Sequence, residues 1–379
     1  YLVDVTNRYA GVFFGGPGAV RMENMLIRWM SKLVGYPVTA AGNLSSGGSL
    51  ANLMGIVCAR DAKKIKSKNI PRSVIYLSSQ AHHSVDKAIR IAGLGECVVR
   101  HIELDEKFRI KSDALEKQIQ SDKKNKLNPF LVIASAGTTD VGAIDPLTQI
   151  GSISKKYNLW FHIDAAYGGF FILTKEGKRK LAGMKLSDSL AIDPHKGLFL
   201  PYGLGVVLVK NQKHLHASHY YMANYMQDTV GDNEEQSPAE LSPELTKHFR
   251  GMRLWLPLQL HGLKPFRACL EEKLLLTKYF YEEIQKIGFE VGPEPELSVA
   301  TYRYVPKGSS LKLQNEFNKR IIEEVMKDGR VFISSTLLNG KFTLRFACLS
   351  FRTRLSTVDL LLSMLKTSVV KLSKEFKLK

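Results

Sequence analysis

Cysteine is scarce in this sequence, and its four copies are far apart, at Cys58, Cys97, Cys269 and Cys348. The sequence contains no CxxC pair, so it indicates neither a zinc site nor a thioredoxin-type redox motif. We therefore expect reduced, mostly buried thiols, no disulfide and no bound metal, a pattern typical of cytoplasmic proteins.

Long hydrophobic runs are also absent. No apolar run approaches the roughly 20 residues that a membrane-spanning helix requires. The first residues lack the basic and apolar regions of a secretory signal peptide. The chain begins at Tyr1 and not at a methionine, so we expect that it is not the whole gene product. Together these features predict a cytoplasmic protein without a membrane span.

Acidic residues are few relative to basic ones. The sequence has 36 Asp and Glu against 54 Lys and Arg, which gives a net charge of +18 and raises the question of nucleic-acid binding. The lysines cluster in short runs, as at 63–68 and 122–126, without the interleaved aromatic residues on which bases stack. We therefore expect a basic surface and no specific nucleic-acid site. A basic surface of this kind would equally well attract a phosphate-bearing cofactor or substrates with a carboxylate.

The central part of the chain alternates short apolar runs with stretches of helical periodicity. The predicted strands are 73–77, 97–102, 130–135, 159–163 and 203–209, and the helices between them include 50–64, 112–120 and 145–157. This alternation predicts an α/β protein with a mostly parallel sheet.

With 379 residues, the chain is long enough for two domains. We predict a remnant of an N-terminal segment at 1–18, a large domain at 19–262 and a small C-terminal domain at 263–379. The boundary follows from breaks in a helical region, at Pro257 and around Gly262–Pro265. The last part of the chain reads β-α-β-β-α, which is typical of a small α+β domain.

One lysine stands where covalent chemistry would need it. The apolar run that ends at Ile192 is followed by a Pro-His-Lys turn, so Lys196 is predicted just past the carboxyl end of a buried strand. Ligands bind at that edge of open α/β sheets. A partly desolvated lysine there can act as a nucleophile and form a Schiff base. The alternative is a lysine that simply points into water.

A Gly/Ser-rich loop at Gly42–Ser49 leads into the helix predicted at Leu50–Lys64. Backbone N–H groups and the positive end of the helix dipole make such a junction an anion site, although Gly and Ser are also ordinary caps. His82 follows the strand at 73–77 and could either lie flat on a planar ring or cap the next helix. A Gly-Thr-Thr turn, Gly137–Thr139, follows the strand at 130–135.

Asp164 ends the fully apolar strand predicted at 159–163. Burying a carboxylate without a partner is costly, so we expect Asp164 to have one. A protonated ring nitrogen would be a suitable partner. The alternative is that Asp164 caps the next helix.

These five motifs occur in the same chain order as in the group II pyridoxal-phosphate-dependent amino acid decarboxylases, and the sequence resembles that family, which includes aromatic-L-amino-acid and glutamate decarboxylases. The resemblance begins near Gly16 and continues more weakly through Leu344–Arg352. It implies pyridoxal 5'-phosphate as cofactor and fold type I, the aspartate aminotransferase-like fold. That fold has a mostly parallel seven-stranded sheet with helices on both faces and a small α+β C-terminal domain. It also implies a homodimer with active sites at the interface and an amino acid as substrate.

The resemblance also assigns roles to residues around the cofactor ring. Lys196 would form the Schiff base, and Asp164 would keep the ring nitrogen protonated. His82 would stack on one face of the ring, and Ala166 would pack on the other. Thr139 would lie near the ring oxygen.

The phosphate would be held at the helix N-terminus by Gly48 and Ser49, with help from His195. The family returns a proton to the substrate from a loop tyrosine, for which Tyr221 is the best match and Tyr220 the adjacent alternative. A tyrosine favours amine formation, because relatives with Phe tend to form aldehydes.

Several positions depart from the family pattern. Asp193 stands where animal aromatic decarboxylases have Asn, and Gly197 stands where they have Trp. The resemblance begins almost at residue 1, so we expect the N-terminal helical segment of the family to be missing, disordered or cleaved, and His83 has no assigned role. These departures weaken any transfer of substrate preference.

The resemblance therefore implies an α-decarboxylase and favours an aromatic L-amino acid as substrate. Tyr9, Phe13 and Phe14, near the expected pocket, support this preference. Those three side chains could equally belong to the core. A glutamate- or aspartate-type decarboxylase, an aminotransferase or aldehyde-forming enzyme of the same fold, and a nucleic-acid-binding protein on a degenerate enzyme fold are the alternatives.

Overall fold

A computed structural model describes residues 1–221 and 235–377. By contacts the chain divides into two compact units. The first comprises Tyr1–Thr138 and Ile144–Phe266, and the second comprises Thr139–Ala143 and Arg267–Lys379. The first unit thus includes residues 1–18, and the unit boundary after Phe266 lies close to the predicted one at 262. The transfer of Thr139–Ala143 to the second unit has no counterpart in the sequence analysis.

The first unit is built on a seven-stranded sheet. Its strands are β1 (Ala41–Ser45), β2 (Ser73–Leu77), β3 (Val98–His101), β4 (Asn128–Ser135), β5 (Trp160–Asp164), β6 (Ser189–Ile192) and β7 (Gly205–Val209). They are ordered β1-β7-β6-β5-β4-β2-β3. Only β7 runs antiparallel to its neighbours. The predicted α/β fold with a mostly parallel seven-stranded sheet is confirmed.

Helices connect these strands. They are α1 (Leu2–Thr6), α2 (Pro17–Val34), α3 (Gly48–Ala62), α4 (His83–Ile91), α5 (Ser112–Lys124), α6 (Leu147–Tyr157), α7 (Lys175–Lys180), α8 (Pro194–Gly197), α9 (Gln212–His219) and α10 (Gly251–His261). The central strands β2 and β7 are buried along their whole length, as expected for strands covered by helices on both faces.

Three sequence predictions for this unit were wrong in part. The first half of the Gly/Ser-rich loop predicted at Gly42–Ser49 belongs to strand β1, which pairs with β7 and is fully buried, so only residues 46 and 47 separate the strand from α3. The glycine and polar residues of this segment do not favour a strand by themselves, and the strand forms because the segment pairs with β7 in the sheet. Pro257 lies inside α10 and does not interrupt it. The stretch 214–228 has no clean periodicity and is therefore expected to be a loop, but its first residues belong to helix α9, and residues 222–234 lie outside the described part of the chain.

The second unit contains a four-stranded sheet covered by helices. The strands are β8 (Phe289–Val291), β9 (Val299–Tyr304), β10 (Ser334–Leu338) and β11 (Lys341–Ala347), in the order β10-β11-β9-β8, and the helices are α11 (Lys264–Lys286), α12 (Leu311–Asp328) and α13 (Leu355–Glu375). Phe280 and Phe346 stack at the centre of its core, with ring centroids 4.3 Å apart. The short strand β8 was missed, because three residues are too few to show periodicity. Among the described residues, no helix combines the length and hydrophobicity of a membrane span.

A histidine is buried in the first unit's sheet. His162, in β5, has no exposed surface, and its Nδ1 lies 2.8 Å from Ser189 Oγ. Burial lowers the pKa of His162 to about 4, while the nearby Asp164 carboxylate acts in the opposite direction. The folded protein therefore keeps this ring neutral at pH values where the unfolded chain protonates it.

Acidification should therefore destabilise the protein. Because the pKa of His162 is lower in the folded than in the unfolded state, the unfolded chain binds more protons as the pH falls from about 6.5 towards 4. We expect this one group to remove up to about 3 kcal/mol of unfolding free energy across that window. Urea unfolding of the apoprotein between pH 7 and 4.5 measures the slope, which His162→Gln should reduce. The exposed His83 gives the control His83→Gln, which should keep the wild-type slope; equal slopes in all three proteins would contradict the account.

Candidate active site

The site residues predicted from sequence lie mainly on one edge of the large sheet. Asp164 is the last residue of β5, Lys196 lies in α8 just after β6, and His82 follows β2. These three strands are parallel, so their carboxyl ends share one edge. The N-terminus of α3 follows β1, which runs in the same direction.

A buried carboxylate lies beside Lys196. Asp193 has no exposed surface, and its Oδ2 is 3.2 Å from Lys196 Nζ and 3.5 Å from His195 Nε2. Beyond these ion-pair contacts, its two oxygens have no hydrogen-bond partner among the described residues. Burial raises the pKa of the Asp193 carboxyl, while Lys196 and His195 oppose that effect. The side chain of Lys196 is 41% exposed, so its amine can be reached from solvent.

Glycines allow the backbone to approach this carboxylate closely. A Cβ atom on Gly48, the first residue of α3, would lie 2.9 Å from Ala166 Cβ and 3.0 Å from Asp193 Oδ2. A Cβ on Gly205 would lie 2.4 Å from the backbone of Gly47. The glycines therefore bring the N-terminus of α3, Ala166 and Asp193 together. The first turn of a helix presents unpaired N–H groups and a partial positive charge, so this junction suits an anion.

The carboxylate of Asp164 has two partners. Its Oδ1 accepts a hydrogen bond from the backbone N–H of Ala166 at 3.1 Å, and its Oδ2 accepts one from Asn52 Nδ2 at 3.0 Å. Asn52 is buried in α3. The side chain of Asp164 remains partly exposed and retains lone pairs for a further donor.

The other predicted site residues have separate surroundings. His82 is the N-cap of α4, where its Nδ1 accepts a hydrogen bond from Ser84 N at 3.2 Å, and its ring lies 4.0 Å from that of His83. Ser49 is exposed in the first turn of α3. Thr139 belongs to the second unit, where its carbonyl oxygen accepts a hydrogen bond from Arg345.

The two tyrosine candidates follow α9. The ring of Tyr220 stacks on His216 with centroids 4.4 Å apart, and Tyr221 is 86% exposed. Residues 222–234, which follow Tyr221, lie outside the described part of the chain.

Two residues of this site were not identified as such from the sequence. Asp193 was noted only as a departure from the family pattern, although it follows a buried strand just as Asp164 does. Asn52 gave no signal, because a single polar residue in a helix does not reveal that it faces the carboxylate at the end of a neighbouring strand. The rule that selected Asp164 would have found Asp193.

Comparison with known proteins adds independent information about the chain. The family model of the pyridoxal-dependent decarboxylase conserved domain matches residues 8–305. The chain is 34% identical to an aromatic-L-amino-acid decarboxylase of Bacillus atrophaeus, over 97% of this chain and 76% of the relative. It is 32% identical to an L-2,4-diaminobutyrate decarboxylase of Acinetobacter baumannii, over 92% of this chain and 72% of the relative.

Solved structures show the same fold. The structure of Oryza sativa TDC with PLP and tryptamine matches with a TM-score of 0.92 at 23% identity, covering 98% of this chain and 80% of that one. Mouse CSAD matches with a TM-score of 0.89 at 27% identity, covering 97% of this chain and 79% of that one. The family that the five sequence motifs predicted is confirmed. The match to the family model and the two relatives above 30% identity show that the chain belongs to the pyridoxal-dependent decarboxylase family.

Proposed function

We propose that this enzyme uses pyridoxal phosphate to remove the α-carboxylate of an aromatic L-amino acid, which yields the amine and CO₂. The observation that carries the proposal is the position of Lys196. Its amine lies 3.2 Å from a buried carboxylate, at the edge of the sheet where α/β enzymes bind ligands. The family assignment supplies the cofactor and the reaction type.

The residues at this edge fit the cofactor. A phosphate suits the N-terminus of α3, where Gly48 begins the helix and Ser49 is an exposed donor, and we assign His195, which lies beside Gly47, to the same neighbourhood. Asp164 keeps oxygen lone pairs that would accept the N–H of a protonated pyridine. Ala166, packed against Gly48, would lie against one face of the ring, and we place His82 on the other face.

When bound, pyridoxal phosphate supplies an electron sink for the electron pair that the departing carboxylate leaves behind. Lys196 would hold the cofactor through its amine, which acts as a nucleophile only in its unprotonated form. Asp193 Oδ2 lies 3.2 Å from Lys196 Nζ and would orient this amine. Asp164 would hold the ring nitrogen protonated, and we assign Thr139 to the neighbourhood of the ring oxygen.

The loop after α9 would return a proton to the substrate carbon, and Tyr221 is the proposed donor. Its exposure leaves it available to reach an active site, whereas Tyr220 is engaged with His216. We further propose that the enzyme is a homodimer with active sites at the interface.

We also propose that the enzyme acts in the cytoplasm. Three of its cysteines are buried free thiols, and burial raises the pKa of Cys58 to about 12 and those of Cys97 and Cys348 to about 11. Such thiols are poor nucleophiles, which supports a protein whose cysteines stay reduced.

The name of the Acinetobacter baumannii relative offers a second candidate, a diamino acid substrate. The net charge of +18 argues against it, since a basic field repels a substrate with a cationic side chain. An aromatic side chain carries no such penalty, which supports the first candidate.

Product analysis tests the proposed reaction. The protein is incubated with pyridoxal phosphate and a panel of L-amino acids, and the products are identified by mass spectrometry. We expect amine and CO₂ from aromatic substrates. Lys196→Ala should lower turnover by a factor of at least about 10³, because the nucleophile is gone. The control Lys178→Ala changes an exposed lysine and should keep wild-type turnover. Amine only from 2,4-diaminobutyrate or glutamate would reassign the substrate, and keto acid without CO₂ would overturn the reaction.

Replacement of the loop tyrosines tests the proton donor. Tyr221→Phe should still release CO₂ but should form much less amine, because the carbon left after decarboxylation lacks its proton source. Tyr220→Phe is the matched control and should keep the wild-type ratio of amine to CO₂. The ratio is measured by quantifying both products in the same reaction. An unchanged ratio in Tyr221→Phe, or a drop confined to Tyr220→Phe, would contradict the assignment.

A further inference from the structure

A chain of hydrogen bonds runs from the core of the sheet to Asp164. Asn52 is 1% exposed and lies between two partners, donating from Nδ2 to Asp164 Oδ2 at 3.0 Å, with its Oδ1 3.0 Å from His162 Nε2. His162 Nδ1 lies 2.8 Å from Ser189 Oγ, which accepts a hydrogen bond from Trp160 Nε1 at 2.9 Å. All four of these side chains are buried.

The direction of each hydrogen bond in this chain is determined by its chemistry. The Asp164 carboxylate accepts only, so the amide nitrogen of Asn52 must face it and the amide oxygen must face His162. His162 Nε2 therefore carries a hydrogen. The ring is neutral because it is buried, so Nδ1 is an acceptor for the hydroxyl hydrogen of Ser189. The hydroxyl oxygen of Ser189 is then free to accept from Trp160.

The packing around His162 leaves the ring little freedom. A Cβ on Gly55, in α3, would lie 2.5 Å from His162 Cε1 and 2.7 Å from its Nδ1. Contacts that short do not occur, so a glycine at this position is what allows the ring to lie against α3. The helix that presents Asn52 to Asp164 thus also holds the histidine that orients Asn52.

We propose that Asn52, His162 and Ser189 are positioning residues that orient the Asp164 carboxylate and keep it charged for the pyridine nitrogen. The inference rests on the proposed function, in which Asp164 is the partner of that nitrogen. Every donor in the relay points towards the carboxylate, so the bonds polarise one another in the same sense. The four residues Trp160, Ser189, His162 and Asn52 are called the Asp164 relay below.

The relay makes a graded prediction about its members. Asn52→Asp conserves the size of the side chain but places a second acceptor against Asp164, and two facing carboxylates cannot both stay ionised. Ser189→Ala removes the donor that fixes the tautomer of His162. It therefore disturbs the orientation of Asp164 only indirectly, and less than Asn52→Asp does. Gly55→Ala pushes on the ring and should act in the same direction.

The first measurement needs no cofactor. In the apoprotein, ¹⁵N NMR of the histidine side chains should show His162 as the neutral tautomer with hydrogen on Nε2 between about pH 5.5 and 8. His162→Gln identifies the signal by its loss. A hydrogen on Nδ1, or a ring that is protonated across this range, would overturn the relay.

The second measurement is the dissociation constant of pyridoxal phosphate, together with the pH dependence of the bound cofactor's absorbance. Loss of one buried hydrogen bond corresponds to roughly threefold to tenfold weaker binding, and we expect that for Ser189→Ala, with a larger loss for Asn52→Asp. The absorbance band should also shift its pH midpoint in both variants. Ser154 offers a matched control, because it is 2% exposed and its hydroxyl has no hydrogen-bond partner among the described residues.

The control Ser154→Ala should change the dissociation constant less than twofold and leave the absorbance profile unchanged. If Ser189→Ala and Asn52→Asp behave like Ser154→Ala, the relay is not a positioning device. Should Ser189→Ala fail to fold, Asn52→Asp still decides the question because its volume is unchanged.

Asp164→Asn separates the relay proposal from the proposed function. Normal cofactor binding and turnover in that variant would overturn the proposed role of Asp164. If Asp164→Asn impairs cofactor binding and turnover while the relay variants leave both normal, only the relay proposal is overturned.

Discussion

The ion pair between the buried Asp193 and the partly exposed Lys196 is the interaction on which the proposed active site depends. A carboxylate without exposed surface is expensive to bury, and the ammonium at 3.2 Å offsets part of that cost. The backbone cannot close over the pair unless the residues around it are glycines, which explains Gly48 and Gly205. The same close packing places the N-terminus of α3 beside Asp193, so one arrangement would provide both the proposed nucleophile and the proposed anion site.

The second carboxylate is supported in a different way. Asp164 is partly exposed and receives hydrogen bonds from the backbone of Ala166 and from Asn52. Behind Asn52, the buried His162 and Ser189 connect it to the centre of the sheet. The proposed site thus combines one carboxylate that faces a cation and one that faces neutral donors, which suits the different roles we propose for them, orienting the amine of Lys196 and pairing with a ring nitrogen.

Much of the fold could be predicted from the sequence because the central strands are continuous apolar runs, as at Ser73–Leu77 and Gly205–Val209. Strand β1 could not, because its sequence, Ala-Gly-Asn-Leu-Ser, has no strand pattern and becomes a strand only by pairing with β7. Chain order and motif spacing predicted Lys196 and Asp164 as site residues, and both lie at the carboxyl edge of the large sheet. The contact between Asn52 and Asp164 joins a helix to a strand 112 residues away. Local sequence patterns do not predict contacts between residues so far apart in the chain.

The measurement that tests the central claim most directly is the location of the covalent bond between cofactor and protein. Reduction of the loaded enzyme with borohydride would fix the cofactor to the lysine that holds it, and peptide mapping by mass spectrometry would identify that residue. The account predicts a single pyridoxyl group on Lys196, with none on the exposed control Lys178. Modification of a different lysine, or of many lysines to similar extents, would show that the pair with Asp193 does not form the catalytic site.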